Sequence, residues 1–182
     1  VLDDLGVRQQ WTSLQREVVF SSVASESQGL LTTLADGGFQ WIINDTIFDR
    51  TRRLPVFGPR GAEYWQQVKA LPFSGPYYQY RILQGELHIL PVMPAGHVMA
   101  FEYVSNWPVK DATSLTAPYK QWFTADSDTC IYPDSLLLAG PRWVWKKEKG
   151  LRYAEEFRSY ESILANLAGH DGTKPVLSMN GP

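Results

Sequence analysis

Apolar side chains recur at mostly helical spacing at Leu2, Leu5, Val7, Trp11 and Leu14, which predicts an N-terminal helix weakened by Gly6. From Glu17 the period shortens. The run VVFSSV is β-branched and aromatic, and LLTTL follows it across a Ser/Gly-rich turn, so two short strands are expected there. Further strands are expected at Trp41 to Ile43 and around Ile47, with Asn44-Asp45 as a turn. After the break at Gly58-Pro59-Arg60-Gly61, AEYWQQVKAL places Tyr64, Trp65, Val68 and Leu71 on one helical face, and this helix should end before Pro72.

The sharpest alternation is YYQYRILQGELHILPV, which predicts a β-hairpin turning near Gln84-Gly85. HVMAFEYVSNW predicts a third strand with Met99, Phe101 and Tyr103 on one face, and three strands in succession suggest an antiparallel meander. A polar linker from Pro108 to Pro118 leads into a pattern that reads as helical as far as Gly169. Pro133 suits a first helical turn and Asp134 the positive end of the macrodipole. Leu136, Leu137, Gly140, Trp143 and Val144 continue this helix, Pro141 is expected to kink it, and Gly150 stops it. A last helix from about Tyr153 to Leu167 carries an apolar stripe of Ala154, Phe157, Tyr160, Ile163, Leu164 and Leu167, and the two are expected to pack as an antiparallel pair.

The reading is therefore α+β: a mostly antiparallel meander sheet over about 17–107, an N-terminal helix and a C-terminal helical hairpin over about 133–168. Together they form a single domain, 1–169, followed by an extended C-terminal arm, 170–182, that lacks periodicity.

Composition adjusts this picture in a few places. A chain of 182 residues and 20.6 kDa suits one domain with its own core. Aromatic residues reach 13%, enough to anchor both a core and an interface. With one cysteine, Cys130, no intramolecular disulfide forms, and His88, His97 and His170 are too scattered in sequence to suggest a zinc site. A net charge of −2 argues against a surface that grips nucleic acid all over. No apolar run approaches the ~20 residues that span a bilayer and no basic leader opens the chain, so it reads as soluble and not secreted. The chain opens on Val1 inside what already reads as helix, so residues upstream are expected.

Candidate chemistry concentrates in TADSDTCIYPDS. Asp126, Asp128 and Asp134 offer oxygen ligands for a cation in a metal-dependent enzyme, yet a polar turn and a helix N-terminus account for them as capping and dipole effects, and the balance favours architecture. Signatures of phosphate loops, dinucleotide sites, serine hydrolases and zinc proteases are absent. No serine is placed by sequence beside a histidine and an acid, and Cys130 has no local base, so it reads as a small buried residue. Exposed Trp and Tyr leave a sugar-binding module as a further alternative. Two basic clusters, Arg50, Arg52, Arg53 and Arg60 in a loop region and Arg142, Lys146, Lys147, Lys149 and Arg152 along a helix, either face a polyanion or form solvated, paired surfaces.

The stretch WFTADSDTCIYPDSLLLAGPRWVWKKEKGLRYAEEFRSYESIL resembles the acidic strand end, Pro-initiated helix, Trp-x-Trp-Lys segment, Gly-Leu-x-Tyr junction and final helix of the head-to-tail adaptor (connector) proteins of tailed bacteriophages. NDTIFDRTRRLPVFGPRGAEYWQQVKAL and YRILQGELHILPVMPAGHVMAFEYVSNW are similar to the same family's middle region, so the resemblance covers about residues 10 to 168. It implies a structural virion protein without catalysis or cofactor. Such a protein forms a ring, commonly a dodecamer, at the neck between head and tail, after assembly in the host bacterial cytoplasm. Its implied partners are copies of itself, the portal protein, a tail or nozzle/stopper protein, and genomic DNA that passes through the channel without sequence-specific binding. A stopper or tail-completion protein is the nearest alternative.

On this reading Trp65, Tyr77, Tyr78, Trp107 and Trp122 are candidate subunit-interface anchors. Arg50, Arg52, Arg53, Arg142, Lys146, Lys147 and Lys149 are candidates to face the channel or a polyanion. Lys174, Pro175, Val176, Leu177, Ser178 and Met179 are assigned to a portal-binding arm. The chain departs from the family pattern in lacking helical residues before Val1 and in placing Pro141 within a helix.

Overall fold

In the computed structural model, residues 2–8, 11–35, 38–70, 75–114 and 119–171 are described. In chain order the elements begin with α1 (Leu2–Arg8), a 3-10 turn (Thr12–Leu14), β1 (Gln15–Ser21), β2 (Ser27–Leu30), α2 (Leu31–Leu34) and β3 (Phe39–Ile42). They continue with β4 (Phe48–Asp49), β5 (Leu54–Phe57), α3 (Ala62–Ala70), β6 (Tyr78–Leu83), β7 (Glu86–Leu90) and β8 (Val98–Ser105). Short strands β9 (Val109–Lys110), β10 (Tyr119–Lys120) and β11 (Thr129–Cys130) precede the helices α4 (Asp134–Glu148) and α5 (Ala154–Asp171).

The fold is α+β, with an eight-stranded, mostly antiparallel sheet of order β1-β8-β4-β5-β6-β7-β2 in which β3 also pairs with β8. The hairpin β6–β7 turns at Gln84-Gly85 as the alternation predicts, both residues having positive φ (52° and 81°), the signature of a type I′ turn. Strand β8 does not extend this hairpin into a simple meander. It crosses to the far side of the sheet and pairs with β1 along one edge and with β3 and β4, placed end to end, along the other. Alternation along a strand specifies which side chains face the core but not which strand lies alongside, and only long-range pairing decides the order.

The link from β1 to β2 is Ser22 to Glu26, although these strands lie at opposite ends of the sheet order. So short a link requires the sheet to curl until its two ends approach. The interior of the curl is one core, in which Val18, Tyr80, Leu87, Ile89, Met99, Phe101 and Tyr103 pack together. The side chain of Gln28 fastens the link, accepting from Val23 N at 2.9 Å and donating to the carbonyls of Val23 and Ser25.

A second core lies outside the curl, where α1, α4 and α5 cover one end of the sheet and Leu5, Trp11, Leu14, Val104, Tyr132, Leu136, Tyr160 and Leu164 are buried. The helices α4 and α5 pack antiparallel: Trp143 meets Phe157 edge to face at 5.1 Å and also contacts Tyr160, while Lys146 pairs with Glu156.

Several local expectations shift. LLTTL is largely the helical turn α2: Leu30 ends β2, and buried Leu31 donates its backbone N–H to Gly85 O at 2.9 Å. The N-terminal helix stops at Arg8 and the chain resumes in a separate 3-10 turn. Pro133 is the N-cap of α4, not its first residue, and α4 runs on through Pro141. The presumed linker and the start of the helical region instead contribute the three-stranded sheet β10-β9-β11.

Candidate assembly surfaces

Ser22, His97 and Asp49, far apart in sequence, meet at the mouth of the curl. Asp49 is fully buried, and its Oδ2 lies 2.8 Å from His97 Nδ1. Ser22 Oγ, however, accepts from the backbone N–H of His97 at 3.0 Å and donates to Pro94 O at 2.7 Å, so its hydroxyl serves the backbone and not the imidazole. A hydroxyl turned away from the ring lacks the nucleophile–base hydrogen bond on which triad chemistry depends. The other carboxylate oxygen of Asp49 accepts from Thr51 N (2.9 Å) and Arg52 N (3.0 Å). This buried aspartate thus shapes the turn that presents Arg50, Arg52 and Arg53.

The aspartates of TADSDTCIYPDS separate into different roles. Asp126 is exposed, and Asp134 is exposed in the first turn of α4. Asp128 folds back on its own loop, where Oδ2 accepts from Thr124 N and Ala125 N at 2.8 Å each and receives the ammonium of Lys120 at 2.7 Å. Lys120 also reaches Asp111 Oδ2 at 3.2 Å and Thr124 Oγ1. The hydrogen bond from Lys120 holds the Asp128 carboxyl below the usual carboxylate range despite burial, with the two backbone N–H donors adding to it. At Asp111 the Thr113 hydroxyl and N–H contribute most to a similar lowering, followed by Lys120. A lysine thus occupies the position between the carboxylates where a cation would sit, and among the described residues no three His, Cys, Asp or Glu side chains form a metal-binding group. Burial pushes the Cys130 thiol above its ordinary value, the reverse of nucleophile activation.

A third polar group is Glu26, which receives Lys69 at 2.7 Å and His88 Nδ1 at 3.2 Å. Burial works to raise its pKa, but the hydrogen bonds from Lys69 and His88 outweigh it and hold the carboxyl low. The effect is to staple α3 to the β1–β2 link and β7.

The five candidate anchors divide. Trp65 is 0% exposed and Tyr78 5%, which corrects the expectation that they face a neighbour: both are spent within the fold. Trp107 is half-buried against Gly38, whose φ of +77° and lack of a Cβ permit the close approach, since a Cβ there would lie 2.4 Å from the indole. Tyr77 is exposed with its ring 5.6 Å from Phe57, and Trp122 is exposed beside exposed Phe123.

Sequence reasoning missed an apolar surface on the sheet. Paired residues on adjacent strands share a face, so the registers Val19 with Ala100, Ala100 with Phe48 and Phe48 with Pro55 line up a single row across β1, β8, β4 and β5. This row lies on the outer face of the sheet. Helices cover the Val104 end of β8, while Val19, Phe48 and Val98 remain exposed at the other end. Phe57 and Tyr77 continue the apolar surface beyond Pro55. The signal in the sequence, Val19 and Phe48 on the outward side of their strands, has no meaning until the register joins them.

Of the basic residues, Arg50 pairs with Glu17, Lys146 with Glu156, Lys147 lies over the Trp143 ring, and Arg52 donates to Tyr78 Oη at 2.9 Å. These contacts divert Lys146 from a polyanion-facing role and leave Arg53, Arg142 and Lys149 exposed. The arm from Lys174 to Met179, comprising Lys174, Pro175, Val176, Leu177, Ser178 and Met179, lies outside the described residues. No helix among the described residues is long and apolar enough to cross a membrane. No protein-family model and no curated sequence matches the chain.

Proposed function

We propose that this chain is a ring-forming head-to-tail adaptor of a tailed bacteriophage, a structural protein that binds the portal and carries the tail or the next neck component around the DNA channel. The observation that supports this most is the outer-face apolar row from Val19 through Ala100 and Phe48 to Pro55, in which Val19 and Phe48 are exposed on either side of buried Ala100, flanked by the Glu17–Arg50 pair. A side-to-side contact between copies would bury this row. The order of segments resembling the adaptor family agrees with this reading, as does the structural use of the three polar clusters most reminiscent of chemistry. Arg53 in the β4–β5 turn, Arg142 midway along α4 and Lys149 at its C-cap, all exposed, suit non-specific contact with a passing phosphate backbone.

Electron microscopy of the purified protein and of the particle tests the reading. Rings with a countable number of subunits, placed at the head vertex, are expected. Val19→Asp combined with Phe48→Asp should yield a folded chain that no longer closes a ring. A protein that stays monomeric at every concentration and is absent from the head–tail junction overturns the proposal.

A further inference from the structure

The sheet has a gap one strand wide. Strands β3 and β4 lie end to end along the same edge of β8, but β5 covers only β4, and its last paired residue, Phe57, sits opposite Gln79 of β6. Beyond that point Arg60 N still reaches Tyr80 O, and only past Tyr80 does β6 continue to Leu83 with β7 on one side and no described residue paired with Ile82 on the other. A cleft of about 700 Å³ occupies the space, lined by Phe39, Trp41, Ile42 and Ile43 of the β3 segment and by Ile82 of β6.

Both walls of this cleft are strand edges. On β3, Asn106 N donates to Gly38 O at 3.1 Å and Ile43 N donates to Glu102 O at 2.9 Å, so Gly38 and Ile43 bond toward β8. The alternation of an antiparallel ladder, carried across the irregular register between Phe39 and Trp41, then turns the backbone groups of Phe39 and Ile42 toward the cleft. On β6, the two-residue turn makes Leu83 and Glu86 the hydrogen-bonded closing pair, which points the backbone of Tyr80 and Ile82 away from β7. Tyr80 O accordingly accepts from Arg60 N at 3.0 Å, and Ile82 opens into the cleft. Trp41 keeps a buried indole N–H with no acceptor among the described residues.

We infer that this slot receives an extended peptide as an inserted strand, and that the donor is the C-terminal segment of a second copy of the chain. The backbone groups of Phe39 and Ile42 on one wall and of Ile82 on the other give an inserted strand partners on both sides. The donor is argued from the chain itself. After Asp171, which accepts from Thr12 N at 2.8 Å and thereby fixes the end of α5, the residues Gly172 to Pro182 remain, long enough to extend about 35 Å. In an extended conformation Pro175, Leu177 and Met179 fall on one face, and Lys174, Val176, Ser178 and Asn180 on the other. The first face matches the apolar interior that Phe39, Ile42 and Ile82 leave open, and the segment is more than long enough to run alongside the four residues of β3. The identity of the donor as a neighbouring copy rests on the ring reading. It gives the segment a receptor within the ring, in place of the portal contact implied by resemblance.

Cross-linking between full-length chains tests this in a Cys130→Ser background. Isotopically light Ile82→Cys chains are mixed with heavy Leu177→Cys chains and oxidised mildly, and a light–heavy disulfide is expected. A synthetic peptide of residues 172–182 should suppress it, and N-methylation of that peptide at Leu177 or Ser178 should weaken the suppression at least about tenfold, because each central N–H is used by one wall. Phe39→Cys, on the opposite wall, serves as a second acceptor should Ile82→Cys fold poorly. If Leu177→Cys joins neither wall in chains that melt as the parent does, the inference is overturned, whether the segment lies elsewhere or in its own chain's slot. Light scattering of the same samples reports ring formation separately, so rings without the cross-link refute the slot and leave the adaptor reading standing.

Discussion

Asp49 Oδ2 lies 2.8 Å from Nδ1 of His97, and through this contact a buried carboxylate ties the turn bearing Arg50, Arg52 and Arg53 to the start of β8. Asp49→Ala leaves the N–H groups of Thr51 and Arg52 and the imidazole without their acceptor, which should cost about 1–3 kcal/mol in urea denaturation. Asp49→Asn keeps one acceptor oxygen and should cost less. Equal losses from the two substitutions would show that the turn does not depend on these hydrogen bonds.

The aromatic residues separate by substitution. Trp65→Ala opens a cavity under α3 and should lower stability by about 3–5 kcal/mol. Trp122→Ala, at a side chain 52% exposed, should change stability by no more than about 0.5 kcal/mol. Its effect should appear in the assembly equilibrium, measured by analytical ultracentrifugation.

Alkaline unfolding reads out two buried tyrosines. Burial, with a contribution from the charge of Asp45, pushes the Tyr80 phenol up to about 12, and burial does the same at Tyr160, aided by Asp4. Both hydroxyls stay protonated in the folded chain above pH ~10, where the unfolded chain ionises, so stability falls as pH rises from about 10 to 12. Each tyrosine contributes a slope of about 1.4 kcal/mol per pH unit in that window. Tyr80→Phe removes this buried hydroxyl and should reduce the alkaline slope by about half. An unchanged slope would mean that the phenol titrates normally.

Acid titration reports on the Lys120 cluster. Asp128 and Asp111 have folded-state pKa values below those of the unfolded chain, so their contribution is present above about pH 4 and is lost as pH falls through the lowered values. Lys120→Met should lower stability at neutral pH and flatten the acid limb, with the larger change at Asp128, where Lys120 is the leading cause. A parallel acid limb in the variant would show that the lysine does not set these carboxylates.

Where local pattern and long-range contact agree, the fold was legible. The turn at Gln84-Gly85, the inward face Met99, Phe101 and Tyr103, and the pairing of α4 with α5 all follow from residue type and period. The LLTTL segment departs from a strand because the ladder to β7 ends at the bond from Leu31 N to Gly85 O, where the chain turns into α2, a limit that no local propensity records. Trp65 and Tyr78 looked like anchors because an aromatic residue on an amphipathic helix or strand suits a core and an interface equally.

By itself the sequence determined the class of fold and the positions of most elements, because composition and periodicity act over a few residues. Tertiary structure alone decided that β8 lies among β1, β3 and β4, that Val19, Ala100, Phe48 and Pro55 form one row on the outer face, and that a gap remains between β3 and Ile82. Those features depend on register between strands distant in the chain, and register is set by the simultaneous burial of a whole face, which no single segment encodes.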